Sequence, residues 1–143
     1  MPKKPSVENT GRLSIERYAM ELAFVASKRS EDPFRQVGAV ALDKNNRVIG
    51  TAYNGLAAGK KASTSFWQDR DKRRKFMFHA EQNLCSLFKR GDVKTVAITT
   101  LPCNECSTLL ASHGVKRVLY HDDYNSEAVE ILKFHGVELI QIS

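Results

Sequence analysis

Between Leu13 and Lys28 the apolar residues Ile15, Ala19, Leu22, Ala23 and Ala26 fall on one stripe at helical spacing, which predicts a first helix. Two short runs rich in β-branched and small apolar residues follow, Val37–Leu42 and Arg47–Tyr53. The turn signal "DKNN" separates them, so they read as a hairpin. Asn54–Lys75 shows no clear period and reads as a long loop with one helical turn at most. Regularity then returns. The pattern predicts helices over His79–Arg90, Cys103–His113 and Ser126–His135, closed by Gly91, Gly114 and Gly136 respectively. Strands are predicted over Lys94–Thr100, Lys116–His121 and Val137–Ile142. The order is α-β-β-α-β-α-β-α-β. Alternation of this kind predicts an α/β fold with a largely parallel core sheet and helices on both faces. Sites in such sheets form beyond the carboxyl ends of the strands, at helix N-termini.

Composition narrows the class. At 143 residues the chain fits one domain, expected over 13–143 behind a flexible tail at 1–12. With 42% hydrophobic and 27% charged residues it reads as an ordinary globular protein. No apolar run approaches the ~18 residues of a membrane span. The opening "MPKKPSVENTG" has no apolar stretch behind its lysines and does not resemble a secretory signal. The expectation is a cytoplasmic chain without a membrane partner, in the host cell if the source is viral. The net charge of +6 suits an anionic partner. It concentrates in "RDKRRK" (Arg70–Lys75), which also has the plain reading of a solvated loop.

Three cysteines cannot build a disulfide framework. Cys103 and Cys106 stand as C-x-x-C at the start of one predicted helix, and His79 stands at the start of the preceding one. The intervening strand returns the chain to the same end of the sheet. Two thiolates and an imidazole are borderline-soft donors that favour zinc, and Pro102 pre-sets the turn. Three protein ligands leave a fourth position for water, the mark of a catalytic site. Glu81, two residues after His79, could then move that water's proton. A lone C-x-x-C also serves as a redox pair or a structural half-site. A structural site needs a fourth ligand. Cys85 lies ~9 Å further along the His79 helix, which makes sharing the ion difficult, and His113 is also too far. His121 and His135 stay open on spacing alone. A purely structural ion would leave Glu81 without a purpose, and Cys85 reads as a buried thiol. The combined pattern of His79, Glu81, Pro102, Cys103 and Cys106 matches the H-x-E…P-C-x-x-C signature of zinc nucleobase deaminases.

The resemblance extends further. "RSEDPFRQVGAV" (Arg29–Val40), "YNG" (Tyr53–Gly55), "HAEQN" (His79–Asn83), "LPCNEC" (Leu101–Cys106) and "GVKRVLYHDDY" (Gly114–Tyr124) resemble, in order and spacing, the deoxycytidylate deaminase family of eukaryotic and viral type. The resemblance implies a cytidine-deaminase-like three-layer α/β/α sandwich with a five-stranded mixed sheet, in a homohexamer. It implies zinc-dependent hydrolysis of dCMP to dUMP. Zinc would sit on His79, Cys103 and Cys106, and Glu81 would carry protons to N3 and to the departing ammonia. The Ala80 N–H would hold the base carbonyl and Asn54 would contact the sugar. Arg29, Ser30 and Arg35 match a segment that approaches the phosphate, and Tyr124 matches an aromatic lining the pocket.

The family also implies activation by dCTP and inhibition by dTTP, with magnesium accompanying a bound triphosphate. Here Ala52 replaces the first glycine of the usual "GYNG", a departure that bears on this control. Some members carry a second zinc in the segment before the histidine. Residues 56–78 contain neither Cys nor His, so one zinc per chain is expected. Two rivals stand beside dCMP. One is dCTP as a substrate, served by the basic run with Lys60 and Lys61. The other is an editing deaminase acting on RNA or DNA through that run. Against the second, aromatic residues do not interleave with the cations, so nucleic acid is not the expected partner.

Overall fold

A computed structural model describes residues 11–143. The tail expected at 1–12 therefore lies outside the described residues except for its last two. The elements are α1 (Ile15–Ser27), β1 (Gly38–Leu42), β2 (Val48–Tyr53), α2 (Thr64–Gln68), α3 (Arg70–Phe76), α4 (Ala80–Cys85), β3 (Thr95–Thr100), α5 (Asn104–Ser112), β4 (Arg117–Asp122), α6 (Ala128–Phe134) and β5 (Glu138–Gln141). The five strands form one mixed sheet in the order β2-β1-β3-β4-β5.

Period-two alternation sorts the strand residues between two cores. Val40 and Leu42 of β1, Ala97 of β3 and Leu119 of β4 pack with Ala19, Met20 and Ala23 of α1. Their neighbours Ala39, Ala41, Val96, Ile98 and Val118 face the opposite layer, with Ala80 and Leu84 of α4, Leu110 of α5 and Leu132 of α6. The result is a three-layer α/β/α arrangement.

Three expectations need correction. The sheet is less parallel than the alternation suggests: β3, β4 and β5 are parallel, but β1 is antiparallel to both β2 and β3. The hairpin sets β1 between β2 and β3, which then run in the same direction and end at the same edge. Second, the segment after β2 is not a plain loop but carries α2 and α3. Ser63 caps α2 through Phe66 N, and Asp69 caps α3 through Lys72 N. Paired backbone hydrogen bonds between Gly55 and Phe78, at 3.1 and 2.8 Å, close the ends of this insert. The helix expected over His79–Arg90 also stops early, at Cys85. There the Ser86 hydroxyl donates to the Asn83 carbonyl, and Asp92 then accepts from Lys89 N in the following turn.

α1 lies directly on the β1 backbone. A Cβ at Gly38 would sit 1.9 Å from the Ala23 carbonyl oxygen and 2.5 Å from the Ser27 nitrogen. Both are backbone atoms on the buried face of α1 and cannot swing away. Gly38→Ala is expected to destabilise the chain by about 3 kcal/mol, the upper end of ordinary overpacking, read as a lower urea midpoint. Gly50→Ala meets only the Leu87 side chain, at 2.7 Å, and is the milder control. Equal midpoints for the two variants would contradict the close helix–sheet contact.

Candidate active site

The carboxyl ends of β2, β3 and β4 and the amino end of β1 meet at one edge of the sheet. α4 and α5 start there, which places their first residues side by side. His79 precedes α4, and its backbone N–H donates to Gln82 Oε1 at 2.7 Å. Asn83 Nδ2 donates to the Tyr53 carbonyl at 2.8 Å and ties α4 to the end of β2. Cys103 precedes α5 and Cys106 closes that helix's first turn, where Cys106 N approaches Cys103 Sγ at 3.4 Å. Ser126 Oγ donates to the Pro102 carbonyl at 2.7 Å and steadies the turn into α5.

His79 Nδ1 lies 3.6 Å from Cys103 Sγ and 3.3 Å from Cys106 Sγ, and the three donor atoms all fall within 4.8 Å of one another. Around a tetrahedral zinc, bonds of ~2.3 Å to sulfur and ~2.0–2.1 Å to nitrogen separate such donors by ~3.6 Å. The donor set and its spacing thus fit zinc. The electrostatics agree. The Cys103 thiol is pulled down to about 4, chiefly by the Cys106 thiol beside it and then by His79. The same contact, with burial, pushes Cys106 up, and Cys103 draws the His79 pKa upward. Cys103 is thereby favoured as the thiolate, the form in which a cysteine binds a metal. Among the described residues no other His/Cys/Asp/Glu cluster suited to a metal is formed, so the magnesium expectation finds no support.

Glu81 is 3% exposed, and burial pushes its carboxyl up to about 7, with its own backbone N–H and His79 acting in the opposite direction. It faces a cavity of about 640 Å³, within the ~300–1,000 Å³ common for small-molecule sites. His79, Ala80 and Cys103 line the same cavity, as do Asn54, Arg35 and Tyr124. Asn54 is buried and partly committed to the fold: its Oδ1 accepts from Val37 N and its Nδ2 donates to the Arg35 carbonyl, both at 2.9 Å. That leaves one amide N–H and one lone pair for a ligand. Arg35 lies over the Tyr124 ring, 4.3 Å from its centroid.

Arg29 and Ser30 are not among the lining residues. Arg29 follows the end of α1 and its guanidinium stands 5.8 Å from the Tyr53 ring centroid. Ser30 is buried and accepts from Asp32 N, shaping the turn instead of facing the cavity. The lining also includes Arg70, Arg73 and Arg74 of the basic run that the sequence offered for a triphosphate substrate, and Asp32, Phe34, Thr100 and Glu105, which it did not single out. The Asp-Pro turn signal at Asp32 and the capping pattern at Asp69 were available signals. Cys85 is buried one turn beyond Glu81 on α4, outside the three-donor cluster, and its pKa rises to about 11, first through burial and then through the Glu81 charge.

Comparison with known proteins agrees with this geometry. Residues 13–122 match the family described as the cytidine and deoxycytidylate deaminase zinc-binding region. Deoxycytidylate deaminase of Mus musculus is 33% identical over 133 residues, spanning 84% of this chain and 75% of its own length. The Homo sapiens enzyme is 32% identical over 127 residues, spanning 80% and 71%. Among solved structures, dCMP deaminase from the cyanophage S-TIM5 in complex with dCMP and dUMP superposes with a TM-score of 0.75 and 26% identity. That match covers 90% of this chain and 96% of the phage chain. Five mixed strands, a His/Cys/Cys cluster beside a buried glutamate, and a family match over most of the chain lead to one conclusion: this chain belongs to the zinc-binding cytidine and deoxycytidylate deaminase family.

Proposed function

We propose that the chain converts dCMP to dUMP by hydrolytic deamination at C4 of the base, with residues 13–143 acting as one deaminase domain. The observation that carries the reading is the cavity that buried Glu81 lines together with His79 and Cys103, which converge with Cys106 on one metal-binding cluster. The deoxycytidylate deaminase relatives and the phage structure bound to dCMP and dUMP support the choice of substrate.

His79, Cys103 and Cys106 would hold one zinc. When bound, the ion supplies a water activated for attack, with a pKa lowered to about 7. The work of the chain is proton transfer and positioning. Glu81 takes the proton that the water releases, passes it to N3 and delivers the next to the leaving amine, so water and dCMP balance dUMP and ammonia. A carboxyl held near neutrality suits a group that must both accept and give. The Ala80 N–H, a first-turn donor without an intrahelical acceptor, holds the base carbonyl. Asn54 offers its remaining amide capacity to the sugar, and the Arg35–Tyr124 pair closes the cavity side.

A panel of cytidine, dCMP, dCTP and a cytosine-containing oligonucleotide tests the reading, each with and without added dCTP and dTTP. Turnover of dCMP well above cytidine and the oligonucleotide is expected. Strong turnover of the oligonucleotide alone would overturn it in favour of an editing enzyme. The effector arms test the activation by dCTP and inhibition by dTTP that the family resemblance suggests. Sedimentation of the purified chain tests the homohexamer. Among the described residues no helix is long and apolar enough to cross a membrane, and the cytoplasm is the compartment proposed.

A further inference from the structure

Four arginines line the cavity: Arg35, Arg70, Arg73 and Arg74. Two are already engaged. Arg35 covers the Tyr124 ring and donates to Thr100 Oγ1 at 3.2 Å. Arg73 lies 4.5 Å from the Phe34 ring centroid, with its Nε 3.9 Å from the Asp32 carboxylate. Asp32 in turn accepts from Phe34 N and Arg35 N, at 2.8 and 3.2 Å. Arg73 thereby pins α3 to the turn that leads into β1.

Arg70 and Arg74 differ. They stand four residues apart on one face of α3, both border the cavity, and among the described residues neither side chain has a hydrogen bond or ion pair. The helix also sorts its cations, since the three arginines border the cavity and Lys72 and Lys75 do not. Their i, i+3, i+4 spacing places all three on one helix face. Guanidinium groups bind phosphate through two parallel N–H donors, whereas lysine acts as a point charge. The acids at this cavity do not neutralise the pair. Asp32 is taken by Arg73, Glu81 is buried, and Glu105 makes no ion pair with either arginine.

We propose that Arg70 and Arg74 form the phosphate subsite of this cavity and bind the 5′-phosphate of a nucleoside monophosphate. Arg73 is the positioning residue that holds their helix in place. The proposal rests on the nucleotide-deaminase reading above and names the groups that tell a nucleotide from a nucleoside. It moves phosphate recognition from the Arg29–Ser30 segment to α3.

The test is calorimetric titration of the zinc-loaded full chain with dUMP and with deoxyuridine, alongside dCMP kinetics. Arg70→Ala and Arg74→Ala are each expected to weaken dUMP by about 10- to 100-fold, the range for one charge-assisted hydrogen bond. The dUMP-to-deoxyuridine affinity ratio falls by the same factor. In turnover of dCMP the loss appears in KM rather than in kcat. Arg70→Lys and Arg74→Lys recover part of the affinity. Arg73→Ala weakens both ligands alike and lowers the melting temperature, as a positioning residue does. Alanine variants that keep the wild-type ratio, or that lose both ligands equally, overturn the subsite. So does a wild-type chain that binds dUMP no more tightly than deoxyuridine. A wild-type chain that binds dUMP tightly but deaminates no dCMP would sink the enzymatic reading and leave the subsite standing.

Discussion

Glu81→Ala is expected to keep the chain's zinc and fold while lowering dCMP turnover by about 10²–10⁴-fold, the range for a positioned acid–base group. The fold should survive because Glu81 is not one of the three converging donor residues, and its carboxyl serves no cap in α4. The reaction should not survive, because of the described carboxylates lining the cavity only Glu81 is both buried and without an arginine partner. Asp32 is held by Arg73 and two backbone amides, and Glu105 is exposed. Alanine removes a buried side chain that lines the cavity, so Glu81→Gln is the cleaner partner: it keeps the shape and removes the ionisable proton. Both variants should lose kcat far more than substrate affinity. A Glu81→Ala enzyme working near the wild-type rate, with zinc bound, would show that the proton moves by another route.

Cys106→Ala is expected to have the larger effect. It removes one of only three donors, from a residue 3% exposed. Loss of a mere outer-shell partner already lowers metal affinity by ~10–100-fold, and loss of a direct donor should exceed that. Purified Cys106→Ala should carry little zinc and show only background deamination. Stability provides a second readout. An ion that binds only the folded chain raises its melting temperature, so a chelator should lower the melting temperature of the wild type and leave Cys106→Ala unchanged. Cys85→Ala is the contrast. Its thiol is buried away from the cluster, so this variant should keep both zinc and chelator sensitivity. Full zinc and activity in Cys106→Ala would contradict the assignment of the donors.

The site was more legible in the sequence than its walls. His79, Glu81, Cys103 and Cys106 could be brought together because each falls at a helix start, and the single strand between those helices returns the chain to the same edge. Strand direction was not legible. Periodicity shows which residues of β1 face each layer, but not that β1 lies antiparallel between two parallel neighbours. The insert α2–α3 escaped for a physical reason as well. Helices of 5 and 7 residues with no buried side chain have no apolar stripe to detect. Only Ser63 and Asp69, as caps, announced them. The placement of α3 depends on the Gly55–Phe78 pairing and on Arg73 meeting Asp32 and Phe34, contacts between segments far apart in the chain. That is why the sequence offered Arg70 and Arg74 only as members of a basic run, a solvated loop or a reach toward a triphosphate, until the fold set them beside the cavity. Arg29 shares a segment with Arg35 but is not among the cavity-lining residues, and its guanidinium lies toward the Tyr53 ring.

The most direct test is reconstitution. The purified chain would be stripped of metal with a chelator, dialysed, titrated with zinc, and assayed at each step for dUMP and ammonia from dCMP. The account predicts no turnover in the stripped chain and activity that rises linearly to a plateau at one zinc per chain. Undiminished deamination in the stripped chain, or a plateau only at two zinc ions per chain, would contradict it.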